Sequence, residues 1–396
     1  MDEAGDREPM RRPTVWLMAT TVGVVVANIY YAQPLLADIA QSFDLTDTRV
    51  AAIATLSQVG TALGMFFFVP LGDKFERRSL ITVLMLGEFA ALLIFAAAPN
   101  VSCLAASSCA LGAFAATVHV AVPFAAHLAS AEQRGRVVGT MVAGILFGVV
   151  LARTFSGLVG AVFGWRAVYA TAAAAVFVLA AVIQTRLPRC PPTPVISWPE
   201  LMRSTVHLVR RHPMLRESAL LGALCFAAFS AFWTTLIFLL ESPAYNYGSA
   251  VAGVFGLVGA VGAAGAPTVG HLAGKHGPRA TIRVALWLSL FSFILMGFIG
   301  KFLAGLIISV VLMDLGIQIA HVSNQTRIYS LDPTARSRLN MVYMFCYFVG
   351  GAFGSYTGAV CWHHAGWWGV CAFGAGILFL AIIAESCYSR SLQQRA

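Results

Sequence analysis

The chain has 396 residues, of which 59% are hydrophobic and 11% charged, with a mean hydropathy of +0.78. About a quarter of the residues of a soluble domain are charged, so this composition excludes a water-soluble globular fold and makes lipid the main solvent. The formal net charge of +9 is compatible with a polyanionic partner, but the placement of the cations, described below, argues against nucleic acid.

Hydrocarbon satisfies no backbone N–H or C=O, so apolar runs of about 20 residues are read as helices crossing a core roughly 30 Å thick. The alternation of a membrane barrel is missing from these runs. They fall at 14–36, 49–70, 79–98, 102–128, 137–161 and 167–187, then at 218–240, 250–272, 281–299, 302–326, 341–362 and 367–388. The expected fold is an all-α membrane protein of twelve transmembrane helices. Its parts are a tail at 1–13, a six-helix half at 14–187, a polar linker at 188–217, a second six-helix half at 218–388 and a tail at 389–396.

The first run is longer than a signal-peptide core and follows an acidic tail (Asp2, Glu3, Asp6, Glu8), which reads as an uncleaved first span. It ends Asn28-Ile-Tyr-Tyr-Ala-Gln-Pro-Leu-Leu36, placing Asn28, Tyr30, Tyr31 and Gln33 where lipid offers no partner. At 100° per residue Asn28 and Tyr31 share one face while Tyr30 and Gln33 share another, so one cavity cannot take all four. Interhelical hydrogen bonding or an interfacial aromatic belt is the alternative use. The second span ends in a short basic loop holding Asp73, Lys74, Arg77 and Arg78. Glu88 lies halfway along the third span and His119 sits inside the fourth, both candidates for cycling protons; a structural role, with Glu88 protonated, is the alternative for each.

In the fifth span Arg153 is a cation that does not readily lose its proton, so it requires an acid or several carbonyls; Asp314 and Glu88 are the candidate partners. Gly144, Gly148 and Gly157 around it permit close helix approach. The linker opens with Pro188, Pro191, Pro192 and Pro194 and turns basic at Arg210, Arg211 and Arg216. The seventh span carries Phe232 and Trp233. The eighth carries the run Gly253, Gly256, Gly259, Gly262 and Gly265, which reads as helix packing rather than a phosphate loop because no strand precedes it. After it come Gly270, Lys275 and Arg279. In the tenth span Asp314, Gln318, His321 and Gln325 stand at i, i+4, i+7 and i+11, a polar stripe within about 60° of arc. An acid near mid-membrane is a candidate protonation site or cation site; a neutral, hydrogen-bonded Asp314 is the alternative.

Two patterns organise these elements. Sliding one half over the other by 202 residues pairs Arg134 with Arg336, Arg136 with Arg338, His119 with His321, Gly148 with Gly350 and Gly164-Trp165 with Gly366-Trp367, which marks a parallel tandem repeat. With the N-terminus taken as cytoplasmic, 22 of the 26 Lys and Arg fall in cytoplasmic segments, a positive-inside bias that places both termini in the cytoplasm. The eight cysteines show no disulfide framework or metal-ligand spacing, and no nucleotide or catalytic motif is present, so no cofactor, metal or enzymatic activity is expected.

The stretches Val69-Pro-Leu-Gly-Asp-Lys-Phe-Glu-Arg-Arg78 and Gly270-His-Leu-Ala-Gly-Lys-His-Gly-Pro-Arg279 resemble the G-x-L-a-D-R-x-G-R-R loop of the major facilitator superfamily. Asn28 to Leu35, Leu151 to Gly157, Gly164-Trp-Arg166 and Asp332 to Asn340 resemble its bacterial subgroup of drug, sugar and metabolite efflux permeases. The resemblance implies that Asp73 and the nearby cations gate the outward-open state and that helices one, four, seven and ten line a central cavity. It also implies a peripheral third helix. The sequence departs from the family at Val69, Glu76 and Gly274, and at Arg153, which stands where the antiporter motif has proline. The expected function is proton-coupled export of a small organic compound by alternating access, in a monomer of the bacterial inner membrane. Competing readings are an uptake symporter or uniporter for a sugar or organic acid, and a transport-dead sensor.

Overall fold

A computed structural model describes residues 10–130, 132–190, 198–274, 277–332 and 335–393, with the backbone alone for Asp73, Trp198, 266–274 and 389–393. Among the described residues every regular element is a helix. α1 (Arg12–Ala27) and α2 (Ala32–Phe43) form the first crossing and α3 (Asp47–Phe68) the second; a short α4 (Leu71–Lys74) leads into α5 (Arg77–Ala96), the third. α6 (Val101–Phe114) and α7 (Thr117–Leu128) make the fourth, and α8 (Arg134–Phe163) and α9 (Trp165–Arg186) the fifth and sixth. α10 (Trp198–Arg211) lies in the linker. The second half consists of α11 (Pro213–Glu241), α12 (Ser249–Gly274), α13 (Pro278–Ile299), α14 (Leu303–Tyr329) and α15 (Arg336–Gln393).

Ten helical segments among the described residues are long and apolar enough to cross a membrane. The last, Arg336–Tyr388, has 53 residues and breaks at Gly366 (φ 56°, ψ −147°), so it crosses twice. The apolar helix Ser249–Gly265 brings the total to twelve. An even number returns the chain to its starting side; that side is called here the terminal face, and the opposite one the far face. Gly366 has a repeat partner in Gly164, also at positive φ (80°), between α8 and α9. Only glycine adopts that backbone without strain, so the sequence repeat is also a repeat of hairpin geometry. Large side chains such as Phe147, Trp287 and Phe298 are exposed on the outer surface, as lipid allows.

Most helix ends lie within a few residues of expectation, and the larger departures are extensions. The first crossing continues to Phe43, the seventh starts at Pro213, the tenth runs to Tyr329, the eleventh starts at Arg336 and the last helix reaches Gln393. The first crossing is also interrupted at residues 28–31. Pro34 has no N–H to offer the Tyr30 carbonyl four residues back, which instead accepts the Gln33 N–H at 3.3 Å. Within the halves α1 packs on α8, α3 on α6, α5 on α9, α11 on α15 and α13 on α14. Between the halves α3 packs on α15 and α8 on α12, while α2 meets α11 and α12 near the far face. Thr154 donates to the Gly253 carbonyl at 3.1 Å, Gln58 to Ser230 Oγ at 3.1 Å, and Trp362 Nε1 to Asp47 Oδ2 at 2.9 Å. The centre is therefore closed from the far face.

Candidate functional site

Arg153 organises the centre. It is 3% exposed, about 15 Å from the far-face end of α8 at 1.5 Å per residue. Its Nε donates to Gln33 Oε1 at 2.8 Å, and its guanidinium carbon lies 3.9 Å from the Trp233 ring centroid, 5.1 Å from Tyr30 and 5.7 Å from Phe229. Ring faces stabilise a desolvated cation by about 2 kcal/mol or more at the best of these sites. Of the two candidate acids, Asp314 interacts electrostatically with Arg153. Asp314 Oδ2 and Trp233 Nε1 interact but stand outside hydrogen-bond geometry, and these two atoms and Arg153 Nη2 are buried without a hydrogen-bond partner.

The room for this cluster comes from α12. A Cβ on Gly256 would lie 2.9 Å from Arg153 Cβ, and one on Gly259 would lie 2.7 Å from Asp314 Oδ2 and 2.9 Å from the Trp233 ring. The glycine run therefore serves helix packing and the site together. A void of about 10 Å³ beside Arg153, lined by Gln33, Trp233, Leu236, Ile237 and Ala252 among others, has room for a single water. Further out on the far face, Gln41, Asp44, Asp47, Phe238, Glu241 and Trp362 line a shallow vestibule of about 410 Å³.

The other face of the first-crossing break points into the first half. Asn28 Nδ2 donates to Glu88 Oε1 at 2.8 Å, and both residues are buried. Tyr31 packs edge-on against Tyr169 at 6.3 Å and interacts with Glu88. The four polar residues thus divide as helical geometry requires, Tyr30 and Gln33 to Arg153, Asn28 and Tyr31 to Glu88. Glu88, on a helix expected to be peripheral, is 0% exposed.

The α14 stripe meets two neighbours. Asp314 faces α12, α11 and α8, whereas His321 Nδ1 contacts Tyr343 Oη at 3.0 Å and Gln325 Nε2 donates to Asn340 Oδ1 at 3.4 Å, both on α15. Asp314 is 7% exposed, and Gln318, His321, Gln325 and His119 are half-buried. Phe232 is 0% exposed and packs on Trp233 and Trp367, a core position rather than a lining one.

At the terminal face, Glu76, which replaces a family glycine, caps α5 by accepting from the N–H groups of Arg78 and Ser79, and it also accepts from Cys190 in the linker. Burial pushes its carboxyl up, but the hydrogen bonds from Ser79, Arg78 and Cys190 outweigh that and hold it below its ordinary value. Arg77 donates to the Gly72 carbonyl and the buried Arg78 to the Leu187 carbonyl; Lys74 lies over the Phe75 ring. The structure describes only the backbone of Asp73 and Gly270, and Lys275 lies outside the described residues.

Sequence reasoning missed a buried acid here. Glu217 on α11, 0% exposed, accepts from Arg327 Nη2 at 2.7 Å, with Arg279 at 3.6 Å. Arg279, whose loop has Gly274 in place of the acid, thus finds one on another helix.

A sequence profile of the Major Facilitator Superfamily matches residues 17–355. The chain is 41% identical over 367 residues to the uncharacterized transporter YgaY of Escherichia coli O157:H7, covering 93% of each chain. It is 36% identical over 374 residues to the probable transporter SCO4007 of Streptomyces coelicolor, covering 93% of this chain and 86% of that one. Among solved structures, the POT family transporter PepTSo matches with a TM-score of 0.77 at 14% identity, over 98% of this chain and 100% of that one. That last likeness concerns the fold alone.

Proposed function

The chain belongs to the Major Facilitator Superfamily, and from that membership we propose that this multi-pass membrane transporter is a proton-coupled exporter of a small organic compound. The observation that supports coupling is Asp314, buried at mid-crossing within electrostatic reach of the permanently charged Arg153. The positive-inside bias assigns the terminal face to the cytoplasm. The closed far face then corresponds to a carrier open inward, with the half-buried Gln318, His321, Gln325 and His119 lying along the substrate's route.

With Asp314 ionised, its charge and that of Arg153 cancel, and a substrate enters from the cytoplasm. Rocking of the halves opens the far face, where a proton passes the acidic vestibule (Asp44, Asp47, Glu241) and neutralises Asp314. Arg153 is then an uncompensated buried cation, which disfavours the loaded arrangement and drives release of the substrate outward. Return of the protonated carrier delivers the proton to the cytoplasm. A second reading, uptake of an organic acid together with a proton, is favoured by the unpartnered Arg153 Nη2, a donor available to a carboxylate.

The two readings separate in oriented vesicles. Compounds are first selected by thermal stabilisation of the purified protein and then supplied under an imposed pH gradient. Accumulation in inverted vesicles with an acidic lumen supports export. Accumulation confined to right-side-out vesicles with an acidic exterior supports uptake, and binding without flux in either supports the sensor reading.

A further inference from the structure

The contact between Asn28 and Glu88 leaves two acceptors orphaned. Asn28 Nδ2 serves Glu88 Oε1 at 2.8 Å, while Asn28 Oδ1 and Glu88 Oε2 are both buried without a hydrogen-bond partner. An ionised Glu88 would hold a full charge at 0% exposure, and among the described residues no ion pair includes it. Desolvating a carboxylate without a cation is among the most expensive acts in a fold, more so inside a bilayer. The groups facing it are Asn28 from the first crossing and Tyr31, backed by Tyr169 of α9; Arg153 is engaged with Gln33 and with Asp314.

We propose that Glu88 carries a resident proton on Oε2, donated to Asn28 Oδ1, so that acid and amide form a reciprocal two-bond pair. One proton supplies the missing donor for both orphaned acceptors. The pair is positioned to act as a clamp. Asn28 opens the four-residue break at 28–31 whose opposite face presents Tyr30, followed by Gln33, to Arg153. Anchoring the break to α5 fixes the rotation of that face. Glu88 is on this view a positioning residue that keeps its proton while Asp314 exchanges one, and the inference holds whichever way substrate moves.

The test uses full-length protein in nanodiscs and two readouts. Infrared difference spectra of wild type minus Glu88→Gln at neutral and mildly alkaline pH are expected to show the C=O stretch of a neutral carboxylic acid. Glu88→Gln replaces the acid by an amide that offers the same donor and acceptor, so it should keep the wild-type melting temperature within about a degree, whereas Glu88→Ala and Asn28→Leu should each lower it by several degrees. A difference spectrum showing only carboxylate bands overturns the proposal. So does a Glu88→Gln protein as unstable as Glu88→Ala, or one that fails to fold.

Discussion

Replacing Asp314 with asparagine leaves the Arg153 guanidinium, 3% exposed, without the acid that balances it. Breaking one side of a buried pair costs about 3–5 kcal/mol; the Trp233 face and the Gln33 carbonyl remain, which places D314N near the lower end, about 3 kcal/mol. Arg153→Met removes a charge-assisted hydrogen bond of about 1.5–3 kcal/mol and a ring stack of about 2 kcal/mol, part of which the methionine recovers by packing. Asp314 then avoids isolation by binding a proton, an option closed to arginine, so the net cost is again about 3 kcal/mol. The double variant contains no stranded charge. It should therefore cost about 3 kcal/mol, not the additive sum of about 6 kcal/mol, a coupling of about 3 kcal/mol. Unfolding of the four proteins in mixed micelles titrated with SDS, followed by near-UV circular dichroism, measures this cycle. A double variant within about 0.5 kcal/mol of the sum refutes the pairing of Arg153 with Asp314.

Three further outcomes follow from contacts of the same kind. Gly259→Ala places a methyl 2.7 Å from Asp314 Oδ2 and 2.9 Å from Trp233, so about 1–3 kcal/mol of overpacking is expected in the same micelle titration, while Gly376→Ala, inside α15 with nothing within 4 Å, should not destabilise. Glu217→Gln strands Arg327, 4% exposed at its side chain, and should lower the yield of folded protein sharply, with about 3–5 kcal/mol lost; an unchanged midpoint would show the pair to be idle. Glu76 contributes its cap above the ordinary carboxylate range and loses it as pH falls through its lowered pKa. Glu76→Ala should therefore cost about 1 kcal/mol at pH 7 and almost nothing at strongly acidic pH; a pH-independent difference contradicts the cap.

Much of the frame was legible because lipid imposes a simple rule. The twelve apolar runs became twelve crossings, and the 202-residue offset linking Gly164 to Gly366 reappears as two positive-φ hinges. The opposed faces of Asn28/Tyr31 and Tyr30/Gln33 followed from helical rotation alone. What periodicity did not reveal was which neighbour each level of a helix meets. The α14 stripe is continuous in angle, yet Asp314 meets α12 and α8 while His321 and Gln325 meet α15.

The Glu217–Arg327 pair was missed for a different reason. Both residues sat in segments read as linker or loop, but α11 starts at Pro213, where a proline suits a first helical turn, and α14 continues to Tyr329. Extending each helix by a few residues turns two solvated charges into a buried pair. The break in the first crossing did have a visible signal, Pro34, whose missing N–H releases the Tyr30 carbonyl.

The central claim is that Asp314 carries the coupling proton. It is tested most directly in inverted vesicles, with compounds that stabilise the purified protein and an imposed acidic lumen. The account predicts gradient-dependent accumulation by wild type and its loss in Asp314→Asn, whose permanently neutral side chain also weakens stabilisation by the compound. Undiminished gradient-driven accumulation in Asp314→Asn would contradict it.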